Sequence, residues 1–151
     1  MIYADKDTEI LVQGATGSQG AFHINLMNQY AKAVGGAGVV AGMTPGKGGQ
    51  QVHGVPVYNT VWDAMDHHDI GASVIFVPAG GCGDAIMEAA DARIPTAVVI
   101  TEHIPVHVVM RAIAYSKTCG TKGIGPKCPG FLIPAGCKLG IIPPNLCSQG
   151  D

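Results

Sequence analysis

Charge of either sign is scarce in this chain of 151 residues. Asp, Glu, Lys and Arg together make up 13% of the residues, and the formal net charge is −2. A chain with so little positive charge offers no basic field to a nucleic-acid backbone and no basic face to an anionic membrane. Nucleic acids and membrane surfaces are therefore disfavoured as partners. Aromatic residues are scarce as well, at 5%, which predicts an aliphatic core.

The chain also lacks paired cysteines and long apolar runs. Its five cysteines are odd in number and never stand as C-x-x-C, which argues against a disulfide framework and against a zinc site. No apolar run approaches the roughly 20 residues of a membrane-spanning helix. The charged first residues, MIYADKDTE, match neither a signal peptide nor an Arg-rich transit peptide. We expect a protein of the reducing cytoplasm.

Short apolar runs alternate with helical patterns along most of the sequence. Because strands this apolar are covered on both faces, they predict a doubly wound, Rossmann-like α/β fold with a mostly parallel sheet and helices on both faces. From about residue 125 to 151 prolines recur without a helical period, so we expect an irregular or hairpin tail. No linker interrupts the pattern, and we expect one domain over residues 1–151. The predicted strands cover 9–13, 39–43, 55–58, 72–77, 97–101 and 122–124, and the predicted helices cover 18–34, a segment capped by Asn59 or Thr60, about 84–93, and 105–117.

Helix 18–34 is the longest predicted helix. Four apolar or aromatic residues spaced four apart predict its apolar face. These residues are Phe22, Leu26, Tyr30 and Val34.

Three glycines follow the first predicted strand. Gly14, Gly17 and Gly20 stand as G-x-x-G-x-x-G, whereas the dinucleotide fingerprint is G-x-G-x-x-G. A turn from a strand into a helix presents free backbone N–H groups to an anion, which favours a phosphate site here. The alternative is that these glycines only allow the helix to pack closely on the sheet.

The end of the second predicted strand lacks the acidic residue that an NAD site places there. It continues as TPGKGGQQ, in which Lys47 is the only charged residue between Lys32 and Asp63. A cation at this place favours a phosphorylated ribose or a diphosphate. A solvated loop lysine is the alternative. An NAD-dependent dehydrogenase domain is therefore disfavoured.

Six stretches, taken in order, resemble a known family. They are QGATGSQGAFH, TPGKGG, VPVYNTV, VIFVPA, ITEHIP and GPKCPG. Together they resemble the N-terminal coenzyme A-binding domain of the succinate–CoA ligase alpha subunit, over residues 5 to about 143. ATP-citrate lyase and malate–CoA ligase contain related modules. The resemblance implies a nucleotide-binding Rossmann domain that holds CoA for an ADP- or GDP-forming acid–thiol ligase of the tricarboxylic acid cycle.

The resemblance also implies which residues contact CoA. In this picture the glycine turn and one lysine receive the diphosphate and the 3′-phosphate, and Thr101 and Glu102 meet polar parts of the ligand. A helix N-cap and a first-turn acid before Pro105 are the alternative roles for those two residues. The implied contacts are Thr16, Gly17, Ser18, Gln19, Lys47, Val77, Pro78, Ile100, Thr101 and Glu102.

Two of the differences between this chain and the family affect the expected function. Lys127 stands where the family has an asparagine, next to Cys128, which changes the polar contact expected near the thiol end of CoA. The family's alpha subunit also continues into a phosphohistidine domain, and no histidine here lies in a segment that resembles it. We therefore expect this chain alone to be inactive.

The expected partners of the chain are CoA, a second alpha domain, a nucleotide-binding beta subunit and a second copy of itself. The alternative is that the chain is a free-standing CoA-binding or regulatory module.

Two further groups could carry chemistry. The sequence HHD at residues 67–69 looks like a metal cluster, but at a helix end it is more often a solvated cap. Cys128, with Lys127 beside it, could be a nucleophile. No base for it is identifiable, and we interpret it as structural. We thus predict no metal site and no catalytic residue in this chain.

Overall fold

The computed structural model describes residues 3–147, and its centre is a seven-stranded sheet. The strands lie in the order β3-β4-β2-β1-β5-β6-β7, and all neighbouring pairs are parallel except β3 with β4. Two further strands, β8 and β9, form an antiparallel hairpin. The strands are β1 (Glu9–Gln13), β2 (Val39–Met43), β3 (Gln51–Val52), β4 (Val55–Tyr58), β5 (Ile70–Ile75), β6 (Thr96–Val99), β7 (Lys122–Ile124), β8 (Gly130–Leu132) and β9 (Lys138–Gly140).

Four helices and the hairpin cover the two faces of the sheet. They are α1 (Ser18–Val34), α2 (Val61–His67), α3 (Ala79–Asp91) and α4 (Val106–Cys119), with a short 3₁₀ turn at Pro144–Leu146. Side chains alternate along β1, so Ile10 and Val12 share a cluster with Ile24 of α1 and Leu139 of β9, whereas Leu11 packs with α2 and α3. The doubly wound α/β fold predicted from the sequence is confirmed.

The strand order fixes where a ligand can lie. The chain runs outward from β1 through β2 to β4 and then returns to the other side of β1 for β5, β6 and β7. The loops that follow β1 and β5 therefore leave the sheet in opposite directions. In open α/β sheets this reversal opens a crevice at the carboxyl ends of the strands.

A buried polar group ties the central strands to α3. The hydroxyl of Ser73 donates to Gln13 Oε1 at 2.7 Å, and Gln13 Nε2 donates to the carbonyl oxygen of Ala85 at 2.9 Å. Gln13 and Ser73 are both fully buried. Because each polar atom has a partner, their burial avoids the cost of an unpaired group.

Two predicted helix features are wrong. Helix α3 begins at Ala79 rather than near residue 84, although its first turns are rich in glycine. A Cβ at Gly83 would overlap the side chain of Val108, so the glycine allows α3 and α4 to pack closely and tertiary contact overrides weak helix propensity. The predicted apolar face of α1 is not its buried face, and Phe22 is 57% exposed. The buried residues of α1 are Gly20, His23, Ile24, Met27 and Ala31.

The tail forms a hairpin that packs on α1. The hydroxyl of Tyr30 donates to the carbonyl oxygen of Ile133 and accepts from the N–H of Ala135, both at 3.1 Å. Leu139 of β9 is fully buried in the same cluster as Ile24. Among residues 3–147, none of the helices has the length and apolar character needed to cross a membrane.

Candidate functional site

Two adjoining hollows form one groove at the carboxyl ends of β1, β5 and β6. The larger, of about 410 Å³, lies over the loop between β1 and α1, and the smaller, of about 190 Å³, lies between the ends of β5 and β6. Gln19, Phe76 and Pro78 line both hollows, which makes the groove continuous. Its other lining residues are Gly14, Thr16, Gly17, Ser18, Gly20, Thr44, Val77, Ile100, Thr101 and Ile141.

Close packing shapes the first loop. Gly14 has φ +82°, and a Cβ there would lie 3.1 Å from the backbone of Phe76 and Val77. A Cβ at Gly20 would overlap the carbonyl oxygen of Gly14. Gly17 is the N-cap of α1 and has no side chain to occupy the N–H groups of the first turn. The three glycines therefore have two roles. They permit close packing of the helix on the sheet, and they leave the N–H groups at the start of α1 open toward the groove.

Two threonines join the first loop to the loop after β2. The N–H and the hydroxyl of Thr16 each lie 3.2 Å from the hydroxyl oxygen of Thr44. Thr44 lines the groove and was not predicted as a site residue. The signal that could have found it is its position as the first residue after β2, at the same sheet edge as the glycine turn.

Lys47 stands outside the walls of the groove. Its backbone N–H donates to the carbonyl oxygen of Thr44 at 3.1 Å, and the next N–H, of Gly48, donates to Asn59 Oδ1 at 2.9 Å. These contacts fix the turn, while the Lys47 side chain is exposed. Its ammonium is thus attached to the loop that begins at Thr44 and is free to reach a ligand or solvent.

At the far end of the groove, hydrogen bonds to Thr101 join two loops to the end of β6. The Thr101 hydroxyl donates to the carbonyl oxygen of Val77 at 2.6 Å, and the N–H of Lys127 donates to the carbonyl oxygen of Thr101 at 3.2 Å. The alternative roles as a helix cap and first-turn acid are wrong, because Pro105 is the N-cap of α4, no side chain caps that helix, and its first turn has no acid. Glu102 is exposed, and its Oε2 lies 3.7 Å from Nε2 of His103.

Phe76 lines the groove, and the ring of buried His23 packs behind it. The ring of Phe76 stacks on the ring of His23, with centroids 5.5 Å apart and planes 7° apart. His23 is 8% exposed, and its Nδ1 has no hydrogen-bond partner among residues 3–147. Burial, and secondly the charge of Lys138, lower the pKa of His23. Sequence reasoning assigned neither His23 nor Phe76 to the site.

Comparison with known proteins adds the family. Residues 5–103 match the family model described as CoA binding domain, and this match covers more than half of the chain. The chain belongs to the CoA-binding domain family. It is 48% identical over 150 residues to succinate–CoA ligase [ADP-forming] subunit alpha 2 of Archaeoglobus fulgidus, covering 99% of this chain and 50% of that protein. It is 44% identical over 149 residues to the alpha subunit from Staphylococcus epidermidis, covering 99% of this chain and 48% of that protein.

The fold also matches a solved CoA complex. The structure of ATP citrate lyase from Methanothrix soehngenii in complex with citrate and coenzyme A superposes with a TM-score of 0.79 at 19% identity, covering 92% of this chain and 24% of that one. At this identity the match shows the fold. The CoA-binding domain described here spans about half the length of the curated relatives it matches.

Eight of the ten predicted contact residues of this CoA-binding domain line the groove. They come from three segments that are far apart in sequence. Lys47 and Glu102 are exposed on the loops at its two ends. The residues that line the groove are Thr16, Gly17, Ser18, Gln19, Val77, Pro78, Ile100 and Thr101.

The two other candidate groups are engaged in local contacts. His67 Nδ1 lies 2.9 Å from the carbonyl oxygen of Asp63, and His68 Nε2 lies 3.1 Å from the Tyr58 hydroxyl. Within the described part of the chain no cluster of three or more His, Cys, Asp or Glu side chains could hold a metal ion. Cys128 is half-buried, and its Sγ accepts from the N–H of Gly130 at 3.3 Å.

Proposed function

We propose that the groove holds CoA for thioester formation in a succinate-type acid–thiol ligase. The observation that carries the proposal is the convergence of eight residues from three separate segments on one groove at the reversal point of the sheet. Parallel sheets bind nucleotide ligands at this place. Membership of the CoA-binding domain family supports the same ligand.

Each part of the groove suits one part of CoA. The open first turn of α1, the hydroxyl of Ser18, and the hydroxyl of Thr44, which accepts from Thr16, supply donors for the diphosphate. Lys47 supplies an exposed ammonium for the 3′-phosphate. The walls at 77–78 and Ile100 supply an apolar channel for the pantetheine arm. Thr101 and Glu102 then lie toward its thiol end, beside Lys127.

In the whole enzyme this domain would hold the thiol in position. Joining a carboxylate to a thiol requires an activated acyl group. A phosphohistidine in a second alpha domain, phosphorylated from ATP or GTP bound by a beta subunit, would transfer its phosphoryl group to the carboxylate and so form an acyl phosphate. The thiol sulfur then attacks the acyl carbon, and phosphate leaves. The contribution of this chain is orientation, which lowers the entropic cost of bringing the two reactants together. The relatives named as ADP-forming succinate–CoA ligases support this assignment over an ATP-citrate lyase or malate–CoA ligase module. We further propose that this chain acts in the tricarboxylic acid cycle and is located in the cytoplasm.

Isothermal titration of the purified chain with CoA, dephospho-CoA and NADH tests the proposal. We expect CoA to bind most tightly, because it presents both phosphate groups that the site can receive. NADH binding as tight as CoA binding would contradict the proposed function. With γ-labelled ATP or GTP the same preparation should take up no acid-labile label and form no succinyl-CoA. Label that disappears when one histidine is replaced would show that the chain is more than a holder of CoA.

A further inference from the structure

His23 is a polar residue that is buried in apolar surroundings, behind the floor of the groove. It belongs to the buried side of α1 with Ile24 and Met27. An unpaired polar atom in such a place costs free energy that an aliphatic side chain would not. His23 nevertheless leaves Nδ1 without a partner among residues 3–147. The imidazole of His23 supports the side chain of Phe76, because the two rings are stacked and nearly parallel.

Phe76 is important to the groove because it lines both hollows. Its backbone is fixed, since its N–H donates to the carbonyl oxygen of Gln13 at 2.9 Å and a Cβ at Gly14 would crowd its carbonyl group. Its ring is supported on one side by the imidazole of His23. A change in His23 would therefore reach the groove through the ring of Phe76.

The surroundings of His23 favour its neutral form. Lys138 of β9 is 2% exposed, and its ammonium donates to the carbonyl oxygen of Gly140 at 3.1 Å. Burial lowers the pKa of Lys138, and burial together with Lys138 lowers the pKa of His23. Cys137, also of β9, is a further ionisable side chain in the adjoining cluster, and burial, followed by the negative charge of Asp5, raises its pKa to about 11. Protonation of His23 would thus add a second positive charge to the buried region that already holds the ammonium of Lys138.

We propose that neutral His23 is a positioning residue for CoA, which holds the Phe76 ring as the floor of the groove and releases it when the imidazole is protonated. This inference rests on the proposed function of the groove. CoA binding and protonation of His23 then oppose each other. Affinity should be highest above the His23 pKa and should fall as pH decreases through it, by up to about tenfold per pH unit, the limit for one proton.

The experiment measures dephospho-CoA affinity between pH 8 and pH 5.5. Dephospho-CoA is used because the 3′-phosphate of CoA itself titrates near pH 6, at about the second pKa of a phosphate monoester. We expect the parent chain to lose affinity toward pH 5.5. His23→Phe keeps a ring against Phe76 and cannot be protonated, so its affinity should be independent of pH over this range. His107→Phe replaces an exposed histidine at the start of α4 and should keep the parent profile.

A second measurement needs no folded variant. The imidazole resonances of His23 in the parent chain are followed by NMR from pH 8 to pH 5, with and without dephospho-CoA. Linkage requires that bound ligand lower the apparent pKa of His23 further. An unchanged His23 titration, or an equal pH slope in the parent and His23→Phe, overturns the inference while the CoA site stands. Absence of CoA binding at pH 7.5 overturns the proposed function, and with it this inference.

Discussion

The two ends of the groove are held by different kinds of contact. At the first loop, Gly14 and Gly20 bring backbone against backbone, and any added carbon meets main-chain atoms that cannot move aside. At the far end, one hydroxyl bond from Thr101 to Val77 and one backbone bond from Lys127 to Thr101 join three segments. The first end should therefore fail on the smallest increase in volume, while the second should tolerate changes and lose stability gradually.

Gly20→Ala should give the largest effect. Its Cβ would overlap the carbonyl oxygen of Gly14, and overpacking of this kind costs about 3 kcal/mol in the free energy of unfolding. Gly17→Ala is the matched control, since its Cβ would lie 3.5 Å from the same oxygen, in ordinary contact. Urea unfolding of both variants measures the difference. Equal stability of the two would show that the first loop is not tightly packed.

Lys47→Ala should weaken CoA binding by about 1–3 kcal/mol, the range for losing a charge-assisted hydrogen bond. Unfolding should be unaffected, because the Lys47 side chain is exposed. Lys32→Ala, at the last turn of α1, removes an equal charge elsewhere on the surface. Calorimetric titration of both variants with CoA compares them. Unchanged affinity in Lys47→Ala would favour the solvated-loop interpretation.

Thr101→Val should cost about 1 kcal/mol of stability, because it leaves the carbonyl oxygen of Val77 without its hydroxyl donor. CoA affinity should fall by a similar amount as the far end loosens. Thr118→Val removes a comparable bond, at 2.7 Å to the carbonyl oxygen of Tyr115, from the exposed side of α4. It should affect stability alone. If Thr118→Val lost as much CoA affinity as Thr101→Val, the Thr101 hydrogen bond would have no specific effect on the groove.

Lys127→Asn should give the smallest effect. Lys127 has φ +54°, a conformation that asparagine adopts more readily than lysine, so the substitution should stabilise the chain by a few tenths of a kcal/mol. Lys122→Asn, in the edge strand β7, is the control and should give no such gain. Thermal unfolding measures both. A loss of stability in Lys127→Asn would indicate that its ammonium makes a contact worth more than the backbone preference.

The sequence predicted most of the fold because local patterns mark it. Strand β1, helix α1 and strand β2 have the predicted bounds, since apolar runs and glycines delimit each one. Helix α3 was predicted to start too late because the favourable packing of Gly83 on Val108 involves a residue 25 positions away. The buried side of α1 was missed because it contains Gly20 and His23, which do not look apolar.

The candidate site also contains residues that the sequence could predict and contacts that it could not. Residues close after a strand end, such as Thr16 in the loop after β1 or Ile100 directly after β6, could be placed at the carboxyl edge from the order of strands and helices, and the family resemblance named them. The pairs Thr16 with Thr44 and His23 with Phe76 could not, since each joins two segments whose distance in space depends on the complete sheet. No local pattern of residues reports such a contact.

The hairpin that packs on α1 bears on how short a working fragment of this chain can be. The family match ends at residue 103, yet Leu139 is fully buried and Tyr30 bonds the loop between β8 and β9. Truncation near residue 125 would expose the apolar side of α1 to water and delete a polar partner of Tyr30. We therefore expect residues 130–140 to unfold together with the sheet and α1, and a fragment designed from the family match alone to aggregate or be degraded.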